Sequence, residues 1–244
     1  MRLVDPNGPA FGSSGSLVGA LSPHAPERWE SKKQFQLESL LMAQNFWDRV
    51  TEHGGVRTGY MRTGRLQPIA NDNGLKLSQT RSEAAKTLWQ GNAQWSVIPS
   101  DPTNPWEPRS PTGMLIHDDL SAHMHPRMAC AALVAALQSK GVEVVTDATN
   151  VGKTIWATGA QGLADLCEEY QHEVGAGEKG QAALLKLDVP NAPQLYTDYL
   201  HVIPHENGTV GVGSTSERYF EDPKSTDGQL EDIIDRIRVA LPVL

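Results

Sequence analysis

Residues 2–20, RLVDPNGPAFGSSGSLVGA, decide the fold class of this chain. Leu3 and Val4 predict a short strand, and Asp5 closes it with a carboxylate. An acid that ends a strand before a loop of small residues is typical of the second strand of a dinucleotide-binding fold, where it binds a ribose hydroxyl. The first strand and Gly-rich turn of such a fold do not precede Asp5 in the sequence. We therefore expect the chain to enter a nucleotide site at its second strand.

Composition and charge exclude several classes of protein. The 244 residues are 39% hydrophobic and 20% charged, which is typical of one large or two smaller globular domains. A formal net charge of −8 argues against a nucleic-acid or membrane-surface partner, because both favour a basic face. No run reaches the roughly 18–20 apolar residues of a membrane span. With 2 cysteines and no secretory signal, we expect a reducing, cytoplasmic setting.

Periodicity predicts a mixed order of helices and strands. Apolar stripes bounded by Gly or Pro predict four helices. A helix between two strands joined by short links indicates a parallel α/β layer, whereas a strand pair around Asn207-Gly208 indicates an antiparallel hairpin. We expect helices over 33–53, 75–90, 126–141 and 227–241, strands over 59–69, 114–117, 142–146, 154–157 and 181–189, the hairpin 200–204 with 209–213, and helix or loop over 167–172.

Two glycine-rich stretches are candidate phosphate-binding segments. Residues 175–180 match the pattern G-x-G-x-x-G, but a strand is not predicted before them nor a helix after them, so we interpret them as the entry into a sheet. Residues 12–19 could hold phosphate oxygens with backbone N–H groups and hydroxyls, or they could form a linker. The apolar Leu17 and Val18 disfavour the linker, because a solvated linker would be polar.

The histidines show no spacing typical of a metal site or of a catalytic triad, and no metal is expected. His123 and His125 lie near Asp118 and Asp119, but surface or capping roles are more common for such residues. His24 and His201 lie in segments that would approach a bound nucleotide, His201 within the predicted hairpin, but a structural role is more common for each of them.

Taken together, these segments resemble the D-amino-acid oxidase-like family of FAD-dependent oxidoreductases, which includes glycine and sarcosine oxidases and D-amino-acid dehydrogenases. The resemblance covers nearly the whole chain in the family's order, and it depends more on that order than on any single motif. The stretches that carry it are residues 3–5, 12–21, 126–141 with the strand after them, 156–159, 179–181 and the hairpin 200–204 with 210–215.

The resemblance implies FAD as cofactor and a small amine or amino acid as substrate. A hydride would pass from the C–H next to nitrogen to the flavin N5, and the imine would be hydrolysed. Arg62 or Arg65 would bind a substrate carboxylate bidentately, and His201 would face the substrate. Asp5 would bind the adenosine ribose. The other implied cofactor residues are Ser13, Ser14, Gly15 and Gly19 along the pyrophosphate and flavin, and Ala157, Thr158 and Gly159 packed on the cofactor.

The expected fold is therefore α/β with mixed α+β character, in which an incomplete Rossmann-like FAD-binding domain is intertwined with an antiparallel-sheet substrate domain. We expect residues 1–30 and 118–172 in the first domain, and 31–117 and 173–244 in the second. Relative to the family, the chain lacks the first strand and the C-terminal part, so it resembles the central portion of such an enzyme.

Two alternatives stay open at this point. The chain could be a non-catalytic fragment or binding module that keeps the fold without FAD. It could also be a tRNA-modifying oxidase domain, although the net charge of −8 weighs against an RNA partner.

Overall fold

A mixed sheet is the larger layer of the computed structural model, which describes residues 1–241 and 243–244. Within these residues the sheet has seven strands in the order β4-β5-β3-β9-β10-β11-β8, and its pairs are antiparallel except β3 with β9. Two smaller ladders join β1 to β7 in parallel and β2 to β6 antiparallel. The strands are β1 Arg2–Val4, β2 Ala20–Leu21, β3 Arg65–Pro68, β4 Trp95–Pro99, β5 Met114–Asp118, β6 Ala122–His123, β7 Glu143–Val145, β8 Ala182–Lys186, β9 Gln194–Thr197, β10 Leu200–Pro204 and β11 Thr209–Gly213.

Helices cover both faces of the large sheet. One face packs on the last helix through Ile233 and Ile237, and the other packs on the first two helices through Leu37, Leu40 and Ala85. These side chains recur on one side of each helix, as expected for amphipathic helices that cover a sheet. The helices are α1 Ser31–Gly54, α2 Asp72–Leu88, α3 Pro126–Ser139, α4 Gly159–Tyr170 and α5 Gly228–Ala240. Among them, no helix of the described residues is long and apolar enough to cross a membrane.

Most of the predicted elements are confirmed. The mixed α/β class is confirmed, as are α1, α2, α3 and α5 and the hairpin of β10 and β11. Gly208 has a φ of +78°, which glycine adopts without strain at this turn. The parallel unit predicted from the strand over 114–117 to the strand over 142–146 is wrong, because β5 pairs antiparallel within the large sheet; the parallel partner of β7 is β1.

The predicted strand over 154–157 is wrong. These residues adopt no regular structure, and Ile155 is 91% and Trp156 73% exposed. A strand needs a neighbour that completes its backbone hydrogen bonds, and within the described residues this segment has none.

The strand predicted over 59–69 is shorter than expected. Only Arg65–Pro68 pairs as a strand, while Met61 forms a single bridge to His123. Gly59 and Gly64 have φ values of +68° and +79°, so the backbone turns twice before β3 begins. β4, β9 and most of α4 were not predicted, and the glycines of 175–180 lead from α4 into β8, as the sheet-entry interpretation expected.

Candidate functional site

The small-residue loop near the N-terminus packs against the start of α3. Residues 13–15 form a 3₁₀ turn, and the Gly15 carbonyl accepts a hydrogen bond from Arg127 Nε at 2.7 Å. A Cβ on Gly15 would lie 1.9 Å from the Ala10 carbonyl oxygen, so the turn requires glycine there. Ser13 and Ser14 remain exposed. The loop is therefore a folded element that presents two free hydroxyl-bearing side chains, and not a solvated linker.

The same loop then runs along β6. Gly19 accepts a hydrogen bond at its carbonyl from the Met124 amide at 2.9 Å, and β2 pairs with β6 directly after it. A Cβ on Gly19 would lie 2.3 Å from the Met124 carbonyl oxygen. Glycine at position 19 thus permits a close approach between the two chain segments.

Two further glycines let the loop cross the large sheet. A Cβ on Gly211 would lie 2.1 Å from the Leu17 carbonyl oxygen, and one on Gly213 would lie 3.3 Å from Val18 Cγ2. His201 stands directly opposite Gly213 in the β10–β11 pair, and directly opposite residues share a face of the sheet. The loop therefore crosses the face that carries His201.

A row of polar and aromatic side chains crosses the same face. Trp95, Asp118, Arg65 and Gln194 are successive partners in β4, β5, β3 and β9. Arg65 Nε lies 3.0 Å from Asp118 Oδ2, and its guanidinium carbon lies 5.9 Å from the centre of the Trp95 ring. The side chain of Arg65 is 9% exposed and that of Asp118 is 0% exposed. Such a buried cation needs its counter-charge, because an unpaired charge in a dry interior is costly.

His201 lies close to this row. Its ring centre is 4.9 Å from that of Tyr196, and its Nδ1 atom is buried without a hydrogen-bond partner among the described residues. Burial, and secondly the Arg65 cation, lower the pKa of His201, so its imidazole is neutral near pH 7. A neutral imidazole next to a cation can accept a hydrogen bond from an ammonium group or amine.

Arg62 is separate from this row. It is exposed, and it donates from Nε to the Asp119 carbonyl at 2.8 Å and from Nη2 to the Asn92 carbonyl at 3.3 Å. These contacts tie the turn before β3 to two neighbouring loops.

Asp5 lies at the carboxyl end of the parallel β1–β7 ladder. Its amide donates to the Val145 carbonyl at 2.9 Å, and its Oδ1 accepts from the Asn7 amide at 3.2 Å. The side chain is half-buried. In open α/β sheets, ligands bind outside the carboxyl ends of the strands, which is where this carboxylate stands.

Residues 157–159 are exposed at the start of α4. Thr158 is the N-cap residue but makes no side-chain cap, and Gly159 has a φ of +61°. Among the described residues, no hydrogen bond joins this segment to Asp5 or to the 13–15 turn. Close to it, Gly177 faces Ala160, and a cleft of about 490 Å³ is lined by Gly177 and residues 218–221.

Sequence patterns missed a buried histidine cluster beneath the loop. The rings of His125 and His205 are 4.5 Å apart, and His123 and His205 are fully buried. Burial lowers the pKa of His123 to about 4, and burial with the neighbouring His125 and His123 lowers that of His205 to about 4. In the described part of the chain, no group of three or more His, Cys, Asp or Glu side chains could hold a metal ion.

Comparisons with known proteins agree on one fold. The family model described as DAO, FAD dependent oxidoreductase, matches residues 1–244. Glycine oxidase from Bacillus cereus ATCC 14579 superimposes with a TM-score of 0.75 at 14% identity, over 99% of this chain and 71% of that one. Iminodiacetate oxidase from Chelativorans sp. BNC1 superimposes with a TM-score of 0.73 at 18% identity, over 99% of this chain and 72% of that one. Glycine oxidase from Geobacillus kaustophilus superimposes with a TM-score of 0.70 at 16% identity, over 95% of this chain and 69% of that one.

These structural similarities establish the fold alone. The sequence identities are too low for a substrate to be inferred from them. No curated protein sequence gives a significant match.

Proposed function

The chain belongs to the DAO family of FAD-dependent oxidoreductases, and from that membership we propose that it oxidises the C–N bond of a small amine or amino acid. The single observation that supports this most strongly is the buried face where Arg65 and His201 lie next to the crossing loop. Two structures of this fold are named for glycine and iminodiacetate, which are both amines that carry carboxylates.

The residues fit FAD at its adenosine end. Asp5 keeps one carboxylate oxygen on the Asn7 amide, which leaves Oδ2 for a ribose hydroxyl. Ser13 and Ser14 carry exposed hydroxyls on the turn that follows, and these suit phosphate oxygens. The exposed N-cap of α4 at Thr158 offers backbone N–H groups of the kind that bind phosphate at helix starts.

The residues also fit a flavin at the other end of the loop. Some buried polar atoms on the sheet face that the loop crosses lack partners among the described residues, and a bound ring with carbonyl and N–H groups would satisfy such atoms. One of them is His201 Nδ1. We propose that Gly15 and Gly19 line this end, and that Ala157 and Gly159 pack on the cofactor.

In this proposal, Arg65 and His201 bind the substrate. FAD, when bound, supplies the acceptor for the hydride of the C–H bond next to nitrogen, and the resulting imine is hydrolysed. Neutral His201 accepts a hydrogen bond from the amino group and so orients that C–H bond. Arg65, whose Nε edge is held by Asp118, offers its terminal N–H groups to a carboxylate. Arg62 holds the turn before β3 through its two carbonyl contacts.

The division into domains is part of the same proposal. Residues 1–30 with 118–172 would hold FAD, and 31–117 with 173–244 would hold the substrate. The partner is a small molecule, since the net charge of −8 disfavours nucleic acid and anionic membrane. Cys130 and Cys167 are both free thiols, which supports a reducing, cytoplasmic setting.

Titration with FAD tests this proposal. The purified chain is mixed with FAD, freed of excess by gel filtration, and scanned for the visible flavin bands. We expect a coloured protein that forms ammonia from glycine or D-alanine, the cyclic imine from D-proline, or an aldehyde from sarcosine, with at least one of the four. A protein that stays colourless would instead support the fragment or binding-module alternative.

A further inference from the structure

The carboxamide of Gln194 links the β2–β6 ladder, which follows the crossing loop, to the large sheet. Gln194 lies in β9 and is completely buried. Its Nε2 donates to the Ala122 carbonyl at 2.8 Å and to the Leu21 carbonyl at 3.2 Å. Leu21 and Ala122 are direct partners in the β2–β6 ladder, so one side chain holds both strands of that ladder.

The orientation of this carboxamide follows from its neighbours. Both groups that it contacts are carbonyl oxygens, which only accept hydrogen bonds, so the nitrogen must face them. The backbone of Gln194 is fixed as well, because its amide donates to the Gly64 carbonyl at 3.0 Å. The anchoring geometry is thus set at both the main chain and the side chain.

The ladder that Gln194 holds is the continuation of the crossing loop. Gly19 directly precedes β2, and its carbonyl binds the Met124 amide beside β6. A displacement of β2 would therefore move Gly19 and the residues before it. Other contacts hold the loop further back, among them Arg127 on Gly15, but within the described residues no other hydrogen bond joins β2 to the large sheet.

We infer that Gln194 is a positioning residue, which anchors the β2–β6 ladder to the large sheet and so fixes the preceding loop in the position that binds FAD. This inference rests on the proposed function, which puts FAD against that loop. Gln194 acts through Leu21 and Ala122, since its nitrogen is already occupied by their carbonyls.

Substitution of Gln194 by Met tests the inference, because Met has a similar size but donates no hydrogen bond. The matched control is Gln67→Met, in the neighbouring strand β3, where the glutamine is half-buried and makes no side-chain hydrogen bond within the described residues. Hydrogen exchange of the backbone amides is measured without FAD, and the FAD dissociation constant is measured separately.

We expect Q194M to speed exchange of the Met124 amide at least tenfold, while the His205 amide in the β10–β11 hairpin is unchanged. FAD binding should weaken at least tenfold in Q194M and stay the same in Q67M. If Q194M does not fold, Gln194→Asn replaces it, since Asn keeps the amide but is one methylene too short to reach both carbonyls.

Three results would overturn the inference. One is unchanged exchange at Met124 in Q194M. Another is equal acceleration at Met124 and His205, which indicates global destabilisation and a merely structural role. The third is loss of protection at Met124 with unchanged FAD affinity. If the unsubstituted chain binds no FAD, the proposed function fails and the cofactor-positioning role fails with it, whereas the exchange data still report the anchor itself.

Discussion

Gly211 in β11 lies so close to Leu17 that a Cβ at position 211 would be 2.1 Å from the Leu17 carbonyl oxygen. The contact is with backbone, which cannot rotate away as a flexible side chain can. The proposed FAD loop crosses the sheet at this point. Its close approach is possible because Gly211 has no side chain.

The first prediction therefore concerns Gly211→Ala. The added methyl group should push the loop away from the sheet, lower the free energy of unfolding by about 1–3 kcal/mol and weaken FAD binding. Chemical denaturation and FAD titration measure the two effects. Gly12→Ala is the control in the same loop, because a Cβ at position 12 meets no atom within 4 Å. Equal free energies of unfolding and equal FAD affinities in the two variants would contradict this prediction.

The second prediction concerns pH. The pKa values of His123 and His205 are lowered from 6.5 to about 4 by burial, so the folded state keeps them neutral while the unfolded state becomes protonated. Stability should therefore be complete above about pH 6.5 and be lost as pH falls towards 4. A tenfold difference in proton affinity between the folded and unfolded states corresponds to about 1.4 kcal/mol of stability.

Urea unfolding at a series of pH values measures this loss. His205→Asn removes one titrating group and keeps a polar partner for Thr209, so its stability should fall less steeply with acid. Arg127 acts on His125, and Glu206, which follows His205 in the chain, is paired with Arg57. A flat stability profile across this range would show that the histidines are not held neutral.

The third prediction concerns the buried ion pair. Asp118→Asn keeps an acceptor for the Ser121 amide but removes the charge that compensates Arg65. We expect a loss of about 3–5 kcal/mol in the free energy of unfolding. Asp198→Asn breaks the exposed pair with Arg236 and should cost no more than about 1 kcal/mol. Similar losses in both variants would mean that burial does not distinguish the pairs.

The fourth prediction concerns Asp5. Asp5→Asn removes the negative charge of the carboxylate that is proposed to accept a hydrogen bond from the ribose. FAD binding should therefore weaken about ten- to a hundred-fold. Asp147→Asn, an exposed residue beyond β7, should leave the affinity unchanged. If D5N binds FAD as tightly as the unsubstituted chain, the proposed ribose contact is wrong.

Local patterns predicted the parts of the fold that depend on local chemistry. Amphipathic spacing predicted α1 and α5, and Asn207-Gly208 predicted the hairpin. Both predictions succeeded because one-sided burial of a helix and the geometry of a turn depend on residues that are close in sequence. The prediction of a strand over 154–157 was wrong for the opposite reason. A strand depends on a partner strand, which its own residues do not specify.

The candidate site was predictable only in part. His201 and Arg65 were proposed from the family resemblance, and the structure brings them to the same face. The contacts of Asp118 and Gln194 gave no sequence signal, because their partners Arg65 and Leu21 are 53 and 173 residues away, respectively. Contacts over such separations are set by strand register, which a single sequence does not reveal.

Anaerobic reduction of the FAD-loaded chain tests directly whether the protein oxidises a C–N bond. The loaded protein is mixed without oxygen with glycine, D-alanine, sarcosine or D-proline, and the visible flavin absorbance is followed. We expect at least one of these amines to bleach the flavin band, whereas acetate, which has no amine, should not. The product should be recovered in proportion to the bleaching: ammonia from glycine or D-alanine, an aldehyde from sarcosine, or the cyclic imine from D-proline. A flavin that stays oxidised with every amine, in a protein that has bound FAD, would contradict the proposed oxidation of a C–N bond.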